Sequence, residues 1–165
     1  MSYKTALHIL YLKTPMGDIA IEGSDIGVTA IQFLEEEPTE KSSPQLPDFL
    51  QDAAIQLQEY FDKKRTEFDF PLDLQGTDFQ KRVWAELLNI PYGKTVSYLH
   101  VSLALGDRKA IRAVGTANGR NPVAIVVPCH RVIGSDGSLV GYASGLARKK
   151  WLLELEQPFK QGSLF

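Results

Sequence analysis

The chain has 165 residues and a formal net charge of −2, and 44% of its residues are hydrophobic, a share that is ordinary for a globular protein with a packed core. No segment approaches the roughly 18 apolar residues of a membrane-spanning helix, and the first residues lack the layout of a signal peptide. We therefore expect one domain or two small ones inside the cell, in the cytoplasm or, in a eukaryote, the nucleus.

The first half of the sequence predicts strands followed by one helix. Alternating apolar residues indicate strands over 7–13 and 18–22 around a Pro- and Gly-containing turn, and a third strand over 28–34. The acidic segment 35–47 contains Pro and Ser and is typical of a loop. Helical spacing of apolar residues predicts a helix over 48–62, and alternation over 68–74 indicates one more strand.

The second half predicts short helices. Gly76 marks a boundary, because Thr77 or Asp78 after it can cap the next helix. The predicted helices span residues 79–88, 97–105 and 109–117. Short helices joined by a Gly-containing turn outline a helix-turn-helix motif.

Charge is divided unevenly between the two halves. Residues 1–76 carry 6 basic and 14 acidic residues, a charge of −8, whereas residues 77–165 carry 12 and 6, a charge of +6. This asymmetry favours nucleic acid or another polyanion as a partner of the second half. Solvated surface charge explains it about equally well.

The second half also holds the only cysteine, Cys129, which excludes an intramolecular disulfide and a cysteine-rich zinc site. The three histidines are scattered, so we expect no metal. An apolar run over 123–127 predicts a buried segment that ends at Pro128, which has no amide donor. Taken alone, a free cysteine is more often an inert core residue than a nucleophile.

The neighbours of Cys129 favour a reactive site over an inert core residue. A thiol reacts as the thiolate, which an adjacent base can generate, and His130 is next in sequence. Adjacent side chains of an extended chain point to opposite faces, so contact between these two requires a turn or a bridging water. A carboxylate could orient the imidazole, as in a catalytic triad. The downstream candidates are Asp136, Glu154 and Glu156.

Five ordered blocks resemble the O6-alkylguanine-DNA alkyltransferases, also called methylated-DNA–protein-cysteine methyltransferases. The central block, Pro128-Cys129-His130-Arg131-Val132, matches the active-site signature of that family. The resemblance is strongest over residues 77–156, whereas the first 76 residues match in general layout. The other blocks are Tyr92–Tyr98, Arg112–Gly115, Asn121–Val123, and Gly141-Tyr142 with Gly145-Leu146 and Lys150–Leu153.

The resemblance implies a fold and an activity. Residues 1–76 are expected to form a mainly structural α/β domain, a small antiparallel sheet plus helix that is ribonuclease-H-like. Residues 77–165 are expected to form a mainly α, winged helix-turn-helix-like domain that binds DNA and carries the alkyl acceptor. The implied activity is single-turnover DNA repair without a cofactor, in which O6-alkylguanine is flipped out of the duplex and dealkylated. The main lesion is O6-methylguanine, while O4-methylthymine, a monomeric state and cooperative DNA binding are further expectations.

The resemblance also implies roles for individual residues. Cys129 is the irreversible alkyl acceptor, His130 is the base that acts through a water, and Glu156 orients His130. Asn121 braces the turn that presents the cysteine. Tyr98 helps to rotate the nucleotide and donates a proton to the leaving guanine.

The remaining implied residues contact DNA or the flipped base. Arg112 is expected to fill the gap in the base stack. The expected DNA contacts are Arg112, Tyr98, Thr95, Ser97, Asn118 and Arg120. The guanine pocket is expected to be lined by Val132, Tyr142, Ala143 and Ser144, together with the carbonyls of Cys129 and Val132. The candidate phosphate contacts are Lys81, Arg82, Lys94, Arg108, Lys109, Arg120 and Arg131, with an internal ion pair as the alternative for Arg131.

The sequence departs from the common family pattern in two places. Ser144 stands where many relatives have glycine, which leaves the accepted alkyl size open. Ala117 and Asn118 lie on the helix expected to face DNA, where apolar residues are frequent. Two other functions remain open: a non-catalytic module that binds alkylated DNA, and a cysteine hydrolase with a Cys–His–Glu triad.

Overall fold

The computed structural model describes residues 7–157. The described chain divides into two compact units, of which the first comprises residues 7–75 with 122–124 and the second residues 76–121 with 125–157.

The first unit is a three-stranded antiparallel sheet with one helix. Its elements are β1 (His8–Thr14), β2 (Gly17–Gly23), β3 (Val28–Phe33) and α1 (Asp48–Phe61). The strand order is β1-β2-β3, and Ile19 and Ile21 of the central strand are fully buried. Helix α1 packs against β1 and β2 with Leu50 and Leu57 in the core. The three predicted strands and the predicted helix are confirmed to within two residues at each end.

The prediction of a fourth strand over residues 68–74 is wrong. Only Leu72 pairs there, in an isolated bridge to Val28, whose amide donates to Pro71 O at 2.9 Å. Pro71 has no amide hydrogen and therefore cannot extend a ladder of backbone hydrogen bonds.

A short segment from later in the chain completes the first unit. Ile31 N donates to Pro122 O at 2.9 Å, and Ala124 N donates to Ile31 O at 3.0 Å, so Val123 forms a parallel bridge with Ile31 on β3. Val123 is fully buried, as the apolar run predicts.

The second unit is mainly helical and carries a helix-turn-helix, as predicted. Helix α4 packs against both α2 and α3, and β4 and β5 form a short parallel pair. Its elements are α2 (Asp78–Leu87), β4 (Val96–Ser97), α3 (Tyr98–Ala104), α4 (Ile111–Gly119), β5 (Val132–Ile133) and α5 (Leu146–Leu155), with single 3₁₀ turns at Arg108–Ala110 and Cys129–Arg131.

Helix caps begin two of these elements where the sequence predicts them. The Thr77 hydroxyl accepts from Gln80 N at 3.1 Å, and Gln80 Oε1 accepts from Thr77 N at 3.0 Å, which is a capping box. Ser97 caps α3 by accepting from His100 N at 3.0 Å. The helix predicted over residues 109–117 begins as a 3₁₀ turn and becomes α-helical at Ile111. Helix α5 was not predicted.

Candidate active site

A short, strained turn presents Cys129. Ile125 has a φ of 74°, a left-handed conformation that costs a β-branched residue about 1–3 kcal/mol and persists only where its surroundings enforce it. Pro128 has φ −83° and ψ 63°, and Cys129 N donates to Val127 O at 2.8 Å, which makes an inverse γ-turn. Cys129 then begins a 3₁₀ turn with 6% of its surface exposed.

Two asparagines brace this turn. Asn121 Nδ2 donates to Val127 O at 2.7 Å on the side before the cysteine. Asn118 Nδ2 donates to Cys129 O at 3.4 Å on the other side. Asn118 was expected to contact DNA, but it is buried, because its side chain points from α4 toward the turn rather than toward solvent. No pattern in the sequence indicates this role of Asn118.

Glu156 binds both residues that follow the cysteine. Its Oε2 lies 2.7 Å from His130 Nε2, while Arg131 donates to Oε1 from Nε at 2.8 Å and to Oε2 from Nη2 at 3.0 Å. Arg131 Nη1 also donates to Ile90 O at 2.7 Å. All three charged or titratable side chains are buried, so Arg131 forms the internal ion pair and is not available to DNA phosphates.

The other two carboxylates considered from the sequence lie elsewhere. Asp136 accepts from Ser138 N at 3.0 Å in an exposed turn. Glu154 is exposed and lies 4.0 Å from Lys150. Glu156 is therefore the carboxylate that the fold brings to His130.

The charges fix the protonation state of the histidine. Burial would raise the pKa of Glu156, but the hydrogen bonds from His130 and Arg131 lower it to about 2, so the carboxylate is ionised. Burial lowers the pKa of His130, although Glu156 opposes this shift, so the imidazole is neutral at pH 7. Because an ionised carboxylate only accepts hydrogen bonds, the ring proton lies on Nε2.

The other ring nitrogen is then a free base. His130 Nδ1 is buried and has no hydrogen-bond partner within residues 7–157. In the tautomer that Glu156 selects, Nδ1 carries a lone pair and can accept a proton. His130 and Glu156 together therefore supply a neutral, oriented base beside Cys129.

The thiol itself is protonated at rest. Burial raises the pKa of Cys129, while the hydrogen bond from Asn121 and the charge of Lys149 lower it by less. A buried thiol with a raised pKa needs a base to become a nucleophile. The geometry thus provides a base for a thiol that does not ionise unaided.

Lys149 is a site residue that the sequence analysis missed. Its side chain is fully buried, and Nζ donates to Val132 O at 2.7 Å, Val140 O at 2.9 Å and Gly141 O at 3.1 Å. Burial lowers the pKa of Lys149, and the negative charge of the Cys129 thiolate would oppose that change. A run of basic residues such as Arg148-Lys149-Lys150 is typical of a solvated surface. For this reason the pattern did not indicate that Lys149 is buried in the site.

Tyr98 lies at the start of α3 and faces the same carbonyls. Its hydroxyl donates to Val140 O at 2.9 Å, and Lys149 Nζ lies 5.9 Å from the centre of its ring. Burial raises the pKa of Tyr98, and a thiolate at Cys129 would raise it further. The tyrosine therefore stays protonated and keeps a proton to donate.

The segment expected to line a base pocket follows Gly141, which adopts a φ of 65°. The Tyr142 hydroxyl is buried and has no hydrogen-bond partner in the described range. Burial raises its pKa, and a thiolate at Cys129 would raise it further. Ala143 is exposed and Ser144 is half-buried. Val132, the other expected pocket residue, is fully buried and offers its carbonyl to Lys149.

Most of the predicted DNA-contacting residues lie near the surface; the exceptions are the buried Asn118 and Arg131 and the half-buried Tyr98 and Ser97. Arg112 is exposed on α4, and its guanidinium makes no hydrogen bond or ion pair with residues 7–157. Ser97 is half-buried because its hydroxyl caps α3. Arg82 donates to Leu105 O at 3.1 Å at the end of that helix. The other exposed candidates are Thr95, Arg120, Lys81, Lys94, Arg108 and Lys109.

Residues 7–157 contain neither a membrane-spanning helix nor a cluster of metal-ligating side chains. None of the helices there combines the length and hydropathy that crossing a bilayer requires. No three His, Cys, Asp or Glu side chains cluster there as a metal site would require.

Comparison with known families matches both parts of the chain. Residues 7–74 match the ribonuclease-like domain of 6-O-methylguanine DNA methyltransferase, and residues 78–158 match the DNA binding domain of the same family. The ribonuclease-like match agrees with the sheet and helix of the first unit, and the DNA binding match agrees with the helix-turn-helix of the second.

Individual relatives are similar over nearly their whole length. A methylated-DNA–protein-cysteine methyltransferase of Methanosarcina barkeri is 46% identical over 88% of this chain and 94% of its own. One from Mycobacterium tuberculosis is 47% identical over 92% of this chain and 93% of its own. The crystal structure of Mycobacterium tuberculosis OGT in complex with DNA has a TM-score of 0.81 and 47% identity, covering 90% of this chain and 92% of that one. The chain belongs to the 6-O-methylguanine DNA methyltransferase family.

Proposed function

We propose that this protein repairs DNA by direct reversal, moving the alkyl group from O6 of guanine in a duplex onto the sulfur of Cys129. The observation that carries the proposal is the buried thiol of Cys129 beside a neutral histidine, His130. The Nε2 atom of His130 lies 2.7 Å from Glu156 Oε2. The names of the relatives support methyl transfer to a cysteine, and the DNA complex of Mycobacterium tuberculosis OGT supports DNA as the partner.

Thiolate formation is the first step. The thiol proton of Cys129 passes to His130 Nδ1 through a bridging water, and the imidazolium that forms is stabilised by the ionised Glu156. Asn121 and Lys149 favour the thiolate, because a hydrogen bond and a positive charge both lower the pKa of Cys129.

Alkyl transfer is a displacement at saturated carbon. A bond forms between Cys129 Sγ and the alkyl carbon while the bond from that carbon to O6 breaks, and its electron pair leaves on guanine. Tyr98 donates a proton to the departing guanine, which balances the proton taken up by His130. The Tyr98 hydroxyl bonds Val140 O in this structure and exchanges that acceptor for the substrate. The thioether is stable in water, so each molecule reacts once.

Extrusion of the nucleotide from the stack precedes transfer and costs a few kcal/mol. We assign the compensating contact to Arg112, whose guanidinium is exposed on α4 and not engaged elsewhere in residues 7–157. It fills the space left by the base and is attracted by phosphates. The remaining DNA contacts that we propose are Thr95, Ser97 and Arg120, without Asn118, which we assign to bracing the cysteine turn.

The flipped guanine is proposed to lie against Tyr142, Ala143 and Ser144, with the carbonyls of Cys129 and Val132 as acceptors. Lys149 and Asn118 support this arrangement, because they hold those two carbonyls through hydrogen bonds of 2.7 Å and 3.4 Å. The Ser144 side chain is larger than a glycine at this position and would limit the size of the alkyl group.

We assign different functions to the residues before and after the boundary at Gly76. We propose that residues 77–165 bind DNA and accept the alkyl group, that residues 1–76 are mainly structural, and that the protein acts as a monomer without a cofactor. Every side chain in the proposed reaction lies in the second unit, which supports this assignment.

The test is reaction with a duplex oligonucleotide that contains O6-methylguanine, followed by intact mass and a peptide map. We expect a gain of one methyl group, on the peptide that contains Cys129, and restored guanine in the DNA. Cys129→Ser should retain DNA binding and gain no methyl. A methyl group on any other residue would overturn the assignment of the acceptor.

Two alternatives predict other outcomes. A non-catalytic module that binds alkylated DNA would bind the duplex and leave the lesion unchanged. A cysteine hydrolase would release its product and turn over repeatedly without a lasting mass change.

A further inference from the structure

The side-chain amide of Asn118 has its nitrogen in use and its oxygen unpaired. Its Nδ2 donates to Cys129 O at 3.4 Å, whereas its Oδ1 has no hydrogen-bond partner within residues 7–157. The residue is 4% exposed, so bulk solvent does not supply the missing donor. Buried polar atoms in folded proteins are nearly always paired, and each exception calls for an explanation. Bracing of the cysteine turn explains Nδ2 and leaves Oδ1 unexplained.

The two backbone carbonyls of the proposed pocket already accept hydrogen bonds. Cys129 O accepts from Asn118 Nδ2 and from Val132 N, which together use both of its lone pairs. Val132 O accepts from Lys149 Nζ at 2.7 Å. These carbonyls therefore have little capacity left for further donors. Oδ1 belongs to the same amide as the Nδ2 that contacts Cys129 O, so an open hydrogen-bond acceptor lies next to that carbonyl.

Guanine carries a donor group that fits such an acceptor. Its 2-amino group has two hydrogens and lies on the same edge of the base as O6, with one ring nitrogen between the two ring carbons that bear them. Proteins that extrude a base read it by hydrogen bonds to this edge. Cys129 is 6% exposed, so a base whose alkyl group reaches its sulfur enters the enclosure that also buries Asn118.

We propose that Asn118 Oδ1 accepts a hydrogen bond from the 2-amino group of the flipped guanine, so that Asn118 helps to select guanine as the base. This inference rests on the proposed transfer to Cys129, and it adds a side-chain acceptor to the two carbonyls assigned there. One hydrogen of the amino group bonds Oδ1, and the other is left for the carbonyls. A hydrogen bond of ordinary strength should change the rate about three- to tenfold.

The experiment compares single-turnover rates on two duplexes of one sequence, carrying O6-methylguanine or O6-methylhypoxanthine. The two bases differ only in the 2-amino group. The preference is the rate with O6-methylguanine divided by the rate with O6-methylhypoxanthine. Comparing the preference of each variant with that of the unmodified protein cancels differences in base pairing and in general DNA binding.

Three variants separate the oxygen of Asn118 from its nitrogen. Asn118→Leu has nearly the same size and can neither donate nor accept a hydrogen bond. Asn118→Asp keeps an oxygen as acceptor and loses the Nδ2 donor. Asn121→Ala is the matched control, because it removes the other asparagine that braces the turn, through Val127 O at 2.7 Å.

We expect the unmodified protein to repair O6-methylguanine faster than O6-methylhypoxanthine, and Asn118→Leu to lower this preference about three- to tenfold. Asn118→Asp should slow both reactions, because a negative charge opposes thiolate formation at Cys129, and should change the preference less than twofold. Asn121→Ala should slow both reactions equally. If Asn118→Leu does not fold, Asn118→Met supplies another apolar side chain that adapts to irregular space.

A merely structural role of Asn118 predicts a different outcome. Loss of Nδ2 would then free Cys129 O for the amino group, so the preference in Asn118→Leu would stay the same or increase. Either result would overturn the inference, as would an unmodified protein that shows no preference. Failure of the unmodified protein to react with O6-methylguanine would instead overturn the proposed function, and this inference with it.

Discussion

His130 Nε2 lies 2.7 Å from Glu156 Oε2, and both side chains are buried. The same carboxylate accepts two hydrogen bonds from Arg131, so one anion orients the proposed base and neutralises a buried arginine. Removing this charge should therefore affect the reaction and the stability of the fold together.

Glu156→Gln keeps the size of the side chain and removes its charge. We expect the free energy of unfolding to fall by about 3 kcal/mol, because a buried cation left without its partner is costly. We also expect methyl transfer to slow at least tenfold, since the His130 imidazolium loses its counter-charge. Urea unfolding and single-turnover rates measure the two effects.

Glu154→Gln is the control for this change. Its side chain is 64% exposed and lies 4.0 Å from Lys150, so its loss should cost less than about 1 kcal/mol. Equal unfolding midpoints for the two variants would contradict the role assigned to the Glu156–Arg131 pair.

The pH dependence of stability should carry the signature of Glu156. The pKa of Glu156 is lowered from the ordinary value of 4.5 to about 2 in the folded protein. The Glu156–Arg131 pair therefore stabilises the fold fully at pH values above 4.5. That contribution is lost as the pH falls from about 4.5 toward 2. In urea titrations, the difference in the free energy of unfolding between the unmodified protein and Glu156→Gln should shrink over this pH range. A difference that stays constant down to pH 2 would contradict the lowered pKa.

Lys149→Met tests the buried lysine with a side chain of similar length. Three carbonyls lose their donor, so unfolding should become easier by about 2 kcal/mol. Loss of the positive charge should also raise the pKa of Cys129, which is measurable from the pH dependence of its reaction with a small thiol reagent. Lys150→Met, on the exposed side of α5, should leave both quantities unchanged. An unaltered thiol pKa in Lys149→Met would show that Lys149 does not act on Cys129.

Asn118→Ala and Arg112→Ala should separate catalysis from DNA binding, because the two residues occupy different faces of α4. The buried Asn118 holds Cys129 O, so its loss should slow transfer several-fold with little change in DNA affinity. The exposed Arg112 should affect binding, lowering the slope of log affinity against log salt by about one. Titrations at several salt concentrations and single-turnover rates test both. A large loss of affinity in Asn118→Ala would restore the DNA contact expected from the sequence.

The sequence predicted what local chemistry determines. The alternation over β1 and β2, the capping box at Thr77 and the spacing around Cys129 are all signals that neighbouring residues carry. The motif also named Glu156 through the family resemblance, and the structure gives the reason, since Glu156 lies in hydrogen-bond contact with His130.

Features that depend on tertiary contacts were not predictable in this way. Alternation over residues 68–74 indicates a strand, but the pattern does not show that Pro71 interrupts the pairing. Helix α5 has no clear apolar stripe, because it buries Lys149 between hydrophobic residues. The position of Asn118 on α4 depends on how α4 packs, and the strained φ of Ile125 depends on what surrounds it.

The stoichiometry of transfer tests the proposed reaction most directly. A fixed amount of protein is mixed with increasing amounts of duplex containing O6-methylguanine, and the guanine restored at completion is counted. Irreversible transfer predicts a plateau at one guanine per protein molecule, with Cys129 fully methylated and no further repair on longer incubation. Repair that continues past one equivalent, or none at all, would contradict a single irreversible transfer to Cys129.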